Sequence, residues 1–139
     1  MAPGTDYRIR VYASEVSGEG FRVHIDTWLD TVLHLAGVSW IAMPLNKSGV
    51  AIGYYSTTDI RHWEDPRSDN SSATTFGGYM FSRAPRVYAG LTGFDVKGRA
   101  NLRLRTRCDD VKDYGLTWHV DTWLDTIMHS AAGAYIAIE

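Results

Sequence analysis

Two stretches of the chain alternate between apolar and polar positions in almost the same way. In the first, Phe21, Val23, Ile25, Thr27 and Leu29 fall on one side of a period-2 strand, against Arg22, His24, Asp26, Trp28 and Asp30 on the other. In the second, Leu116, Trp118, Val120, Thr122 and Leu124 oppose Thr117, His119, Asp121, Trp123 and Asp125. The strand before each behaves alike. Tyr7, Ile9, Val11 and Ala13 oppose Arg8, Arg10, Tyr12 and Ser14, while Leu102, Leu104, Thr106 and Cys108 oppose Arg103, Arg105, Arg107 and Asp109. Gly20 and Gly115 mark the turns between the paired strands. The apolar sides, Leu29 and Leu124 included, are expected to face a core.

This is an internal repeat. Displaced by about 95 residues, Tyr7–Met43 falls on Leu102–Ile138 without a gap, and about 15 of those roughly 37 positions are identical. Three strands are predicted in the first copy, at about 7–14, 20–29 and 37–43. Residues 31–35 read equally as a loop or a short helical turn. Pro44–Gly49 has linker composition. Val50–Tyr55 reads as a strand and Ser56–Thr75 as a long polar surface loop enclosing Trp63. Phe76–Phe81 and Arg86–Leu91 read as strands, with a short one at Phe94–Val96. The predicted class is all-β, an antiparallel sandwich over residues 50–139 preceded by a three-stranded half repeat over residues 1–46.

Composition narrows the function. An apolar content of 45% with 12% aromatics suffices for a packed core. The net charge of −2 disfavours nucleic acid or an anionic membrane as the main partner. No apolar run approaches the roughly 18 residues of a membrane span, so no membrane insertion is expected. Met1–Gly4 is unlike a signal peptide. The single Cys108, on the apolar side of its strand, reads as a buried inert thiol in a reduced setting. Together these suggest a cytoplasmic protein, or one released without a signal peptide. Asn70-Ser71-Ser72 fits the N-glycosylation pattern but is expected to stay unmodified.

The polar sides place Arg, His, Asp and Trp together, twice. Carboxylates accept from hydroxyls, Arg donates two directed bonds, and an indole covers an apolar sugar face, so the set suits an oligosaccharide. The competing reading is a charge ladder of Arg against Asp on a solvated sheet or a subunit contact. His119, Asp121, Asp125 and His129 form a possible metal set, but His119 and Asp121 are neighbours on one strand face. No nucleophile or carboxylate pair in a cleft is apparent, so no enzyme, cofactor or metal is assigned.

The chain resembles the H-type lectin family, which includes the snail agglutinins and the C-terminal domain of the discoidins. The resemblance lies in Phe81-Ser82-Arg83-Ala84-Pro85-Arg86-Val87, Gly90-Leu91-Thr92-Gly93-Phe94-Asp95, Asn101-Leu102-Arg103 and the Asp-Thr-Trp-Leu-Asp-Thr box closing on Tyr135-Ile136-Ala137. Residues 50–139 resemble a complete domain and residues 6–43 only its C-terminal half. The resemblance implies a six-stranded antiparallel sandwich, usually a trimer, that binds galactose or N-acetylgalactosamine without metal. By position it implies that Arg103 reaches sugar hydroxyls beside Trp123 and Asp125, with Arg8 and Trp28 as half-repeat counterparts. His129 and His34 stand where a neighbouring subunit's aromatic packs on the sugar. Leu124 and Leu29 stand where the snail lectins have a polar ring. The family's acidic residue falls between His62 and Asn70, at Asp65 or alternatively Asp69. The expected partners are galactose-type glycans and further copies of the chain, as a trimer or swapped assembly. The alternative is an assembly or adhesion sandwich that has lost sugar binding. Three half-repeat strands make only half a sandwich, so the chain is expected to be an obligate oligomer in which residues 7–43 fold only against another chain.

Overall fold

The computed structural model describes residues 5–44 and 46–139; Met1–Gly4 and Leu45 of the expected linker lie outside them. The strands are β1 Tyr7–Ser14, β2 Arg22–Asp26, β3 Val50–Ser56, β4 Asp69–Thr75, β5 Arg86–Val96, β6 Leu104–Asp109, β7 Gly115–Thr122 and β8 Met128–Ile138. A single 3-10 turn, Thr57–Asp59, follows β3. The larger sheet runs β2-β1-β5-β8-β3 and the smaller β4-β7-β6, with every pairing antiparallel. Strands β3–β8 make a six-stranded sandwich, and the β1–β2 hairpin extends one of its sheets along β5 of the same chain. Contrary to expectation, the hairpin therefore does not depend on another chain for a strand partner.

Alternation places the core. Leu116, Trp118 and Val120 on β7 are at most 3% exposed and face Tyr55, Tyr135, Ala137 and Val96 of the larger sheet. Tyr55 stacks on Trp118 at 5.1 Å between ring centroids. Its hydroxyl meets Thr106 Oγ1 across the sandwich at 2.5 Å, and Tyr135 Oη donates to the Thr75 carbonyl at 3.1 Å. Both polar tips are satisfied, so the aromatics can be buried without an orphaned hydroxyl. Burial also pushes the Tyr55 phenol and the Cys108 thiol up, which keeps Cys108 protonated and inert. Each tyrosine ring lies over a glycine on the neighbouring strand: a Cβ on Gly133 would sit 2.3 Å from the Tyr55 ring, and one on Gly53 2.3 Å from that of Tyr135.

Several expected elements differ. Phe76–Phe81 is a turn rather than a strand, because Gly77 and Gly78 take φ of 64° and 87°. Phe76 and Phe81 anchor its two ends in the core, edge to face at 5.1 Å. Ser56–Thr75 is not one loop: it holds the 3-10 turn and β4. That strand lacks an apolar face because its inward positions are Asn70, Ser72 and Thr74, at the edge of the smaller sheet. The expected strands 86–91 and 94–96 are one, β5, with a bulge between Leu91 and Gly93. The half repeat has two strands, not three, since residues 37–43 form none.

The motif strands also stop early, at Asp26 and Thr122. Leu29 and Leu124 take φ of 55° and 58°, which turns the chain and leaves them 83% and 84% exposed. Neither belongs to the core face that alternation had assigned. Leu124→Ala should therefore change stability by less than about 0.5 kcal/mol, whereas Trp118→Ala should cost about 3–5 kcal/mol. Gly133→Ala should cost about 1–3 kcal/mol as the Tyr55 ring is forced aside. Urea melts of the three variants check the ranking.

Candidate functional site

The Asp-Thr-Trp-Leu-Asp-Thr box is a turn held by its last threonine. Thr126 Oγ1 donates to the Asn101 carbonyl at 2.5 Å and accepts from the Arg103 amide at 3.1 Å. Its own amide reaches back to the Trp123 carbonyl at 3.4 Å. The turn thus fixes the strand entering β6 against the one leaving β7, and sets Trp123 and Asp125 beside Arg103. The Arg103 guanidinium donates to the Asp125 carboxylate. Trp123 stays 45% exposed. The Asp125 carboxyl is held below its ordinary 3.8 by its own backbone amide and then by Arg103, against desolvation.

The first copy builds the same turn. Thr31 Oγ1 donates to the Asp6 carbonyl at 2.6 Å and accepts from the Arg8 amide at 3.2 Å, and the Arg8 guanidinium meets Asp30. The second Arg–Asp rung recurs as well, Arg10 with Asp26 and Arg105 with Asp121, each at 3.1 Å. So does the histidine rung, His24 Nε2 with Ser14 Oγ at 2.7 Å and His119 Nε2 with Asp109 at 2.8 Å. In the second copy, hydrogen bonds from His119 and Arg107 hold the Asp109 carboxyl down.

The copies differ at the guanidinium. Arg8 also binds Asp6 at 2.5 Å and Asp95 at 3.3 Å, and the residue is 8% exposed. Its donors are spent on three carboxylates, one of them on β5, so this ion cluster pins the half repeat to the sandwich. Arg103 has Asn101 where Arg8 has Asp6, and Asp125 is its only carboxylate partner among the described residues. Trp28 is half-buried, and His34 lies exposed in the stretch without regular structure.

The remaining candidates lie on the loop before β4 and at the start of β8. Asp65 pairs with Arg67 at 2.6 Å and not with Arg103. Asp69 sits opposite Asp121 in the β4–β7 ladder, accepting from Ser68 Oγ at 2.9 Å. His129 packs edge-on against Trp63 at 6.1 Å, and its Nδ1 is buried without a hydrogen-bond partner. Trp63 is half exposed and also packs on His62 at 5.7 Å. Among the described residues no three His, Cys, Asp or Glu side chains are grouped to hold a metal ion.

Sequence reasoning missed the residue that holds this region together. Arg61, 7% exposed, donates to Asn70 Oδ1 at 2.5 Å, Met128 O at 3.1 Å, His129 O at 2.9 Å and His62 O at 3.1 Å. Burial pushes its guanidinium down from the usual value. The Asn70 amide donates onward to Arg67 O and Val120 O, both at 3.0 Å. This network clamps the loop carrying Trp63 and Asp65 onto β7 and β8. Asn70, 2% exposed, is closed to glycosylation in the folded chain. An arginine in a polar stretch gives no periodic signal, so only the fold exposes its role.

A sequence model of the H-type lectin domain matches residues 1–43 and again residues 71–138. The two-sheet antiparallel fold fits that class of carbohydrate-binding domains. The chain belongs to the H-type lectin domain family. No curated protein matches it at a significant level.

Arg61→Ala leaves four acceptors without their donor and should cost about 3 kcal/mol or more, with Arg103→Ala, a more exposed pair, nearer 0–1 kcal/mol. Thermal melts separate the two. Because the Asp125 carboxyl is depressed in the folded state, its pairing is in place above the ordinary value and is lost only as pH falls through a lower one. A carboxyl-carbon NMR titration should find the Asp125 midpoint below 3.8; a midpoint above it would contradict the geometry.

Proposed function

We propose that this lectin recognises terminal galactose or N-acetylgalactosamine through one site per chain, built on Arg103, Trp123 and Asp125. The observation that carries the reading is the second-copy turn: a guanidinium with a single carboxylate partner next to a half-exposed indole. Such a guanidinium keeps donors for vicinal hydroxyls, and the indole offers a face to the apolar side of a hexose. In this reading His129, packed on Trp63, lends an aromatic wall to the site of a neighbouring copy, and Asp65 offers an acceptor from the loop before β4. The first-copy counterparts, Arg8, Trp28 and His34, bind no sugar in this reading, because Arg8 is consumed by Asp6, Asp30 and Asp95.

The reading includes a homo-oligomer. Ile52, Tyr54 and Tyr88 lie 57–78% exposed on the outer face of the larger sheet, aligned across β3, β8 and β5. With Trp40 and Ile41 they border an apolar cavity of about 430 Å³. A contiguous apolar patch of this kind marks a contact surface. Single shallow sites bind sugar weakly, and linking several raises avidity without new contacts.

Arg103→Ala and Trp123→Ala should each lower sugar affinity about ten- to hundredfold, the loss of one charge-assisted hydrogen bond or stacking face. Both variants should keep the parent melting temperature within a few degrees. Glycan-array binding with a chelator present, followed by titration of the preferred sugar, tests this. Folded protein that ignores every galactose-type glycan would reject the specificity and leave the assembly reading. Tyr54→Asp with Tyr88→Asp should lower the mass measured by light scattering; an unchanged mass would reject the outer face as the contact.

A further inference from the structure

The half repeat is one layer of a second sandwich. Its turn, both Arg–Asp rungs and its histidine rung reproduce the complete copy, yet its packing does not. Phe21, Val23 and Ile25 stand where Leu116, Trp118 and Val120 stand in the second copy. The second set is 0–3% exposed; in the first, Val23 is 37% exposed and the other two only half-buried. Register explains the difference. Ile9 pairs with Phe94 and Tyr7 with Val96, so the hairpin's apolar side faces the way the sandwich core does. The smaller sheet ends at β6, and among the described residues β2 has no substantial strand neighbour except β1. The apolar side of the hairpin overhangs.

The third strand of the repeat tells the same story. Residues 34–43 match 129–138, which in the second copy are the part of β8 that runs between β3 and β5. There Tyr135 and Ile136 are 4% and 8% exposed; their counterparts in the first copy, Trp40 and Ile41, are 63% and 65% exposed and form no strand. A strand of this pattern needs a β3-like and a β5-like neighbour, and the first copy has neither. A second copy of the chain does not balance the count. Each chain brings one β3/β5 pair and two segments that fit it, so every copy added leaves another segment over.

We infer that the hairpin and residues 34–43 dock a polypeptide built like residues 50–96, one that supplies the equivalents of β3, β4 and β5. Its inward positions would repeat those of Ala51, Tyr55, Val87 and Phe94, which cover the second copy. Residues 34–43 would enter its sheet as the central strand, and Trp40, which meets Phe21 edge-on at 5.0 Å and borders the outer-face cavity, would pass into the new core. Nothing in this depends on which sugar the lectin binds.

The test adds a second copy of residues 48–97 ahead of Thr5 through a flexible linker of about 15 residues, with the full chain retained. A control carries Ala51→Asp and Tyr55→Asp in the added copy only. Hydrogen exchange is read at the amides of residues 21–25 and 34–43. The fusion should slow exchange there about tenfold or more relative to the parent, and the control should not. Equal exchange in fusion and control overturns the proposal. So does a fusion whose added segment stays unfolded on an intact parent domain. Protection of residues 34–43 already present in the parent, rising with protein concentration, would make a second copy the cover and also overturn it.

Discussion

One buried guanidinium holds the sandwich to its working loop. Arg61 donates to the main chain at the start of β8 in one sheet, and to Asn70 on β4 in the other. It thereby joins the two layers at the end where Trp63, Asp65 and His129 gather. A buried charge is costly unless its donors are met, and here four acceptors meet them. The acceptors are three main-chain carbonyls and one amide, so no carboxylate hydrogen-bonds the guanidinium, and Asp65 opposes its charge only through space. The loop's position follows from that network; its own sequence has little apolar content to pack.

The two copies show how one motif can serve two purposes. The Thr31 and Thr126 turns are the same in hydrogen bonding, in the left-handed leucine and in the Arg–Asp contact. What separates them is charge around the arginine. Asp6 and Asp95 complete a cluster on Arg8 that ties β1 to β5, while Asn101 leaves Arg103 with Asp125 alone. A three-carboxylate cluster at low exposure resists opening, since removing one partner strands charge in a poorly solvated place. A single, partly exposed pair is worth little to stability and can exchange its donors for hydroxyls. If Arg103 binds sugar as proposed, stability and recognition draw on the same side-chain set.

Much of this was legible in the residues. The alternation of Leu116, Trp118 and Val120 gave the strand and its buried side, and the repeat pointed to Arg103, Asp125 and Trp123 as one unit. Alternation failed where a turn began: it carried Leu124 into the core because period-2 counting has no term for a residue at positive φ. It failed again at Phe76–Phe81, where two aromatics suggested a strand and two glycines between them made a corner. β4 was invisible because its inward residues are polar: Asn70, buried by hydrogen bonding, and Ser72 and Thr74, only half-buried.

The stretch 37–43 is the most instructive difference, because its sequence is that of a central strand and its structure is not. The matching segment of β8 is held by ladders on both sides, to β3 and to β5. Strand propensity measures fit to neighbours more than any intrinsic backbone preference. With no neighbouring strand, Trp40 instead meets Phe21 edge-on at 5.0 Å, and with Ile41 it borders the cavity lined by Ile52, Tyr54 and Tyr88 on the outside of the larger sheet. The same apolar residues therefore border the face that the proposed oligomer would use. An oligomer formed there must either displace residues 39–41 or include them in the contact, so the state of the half repeat and the valency of the lectin are coupled through a single surface.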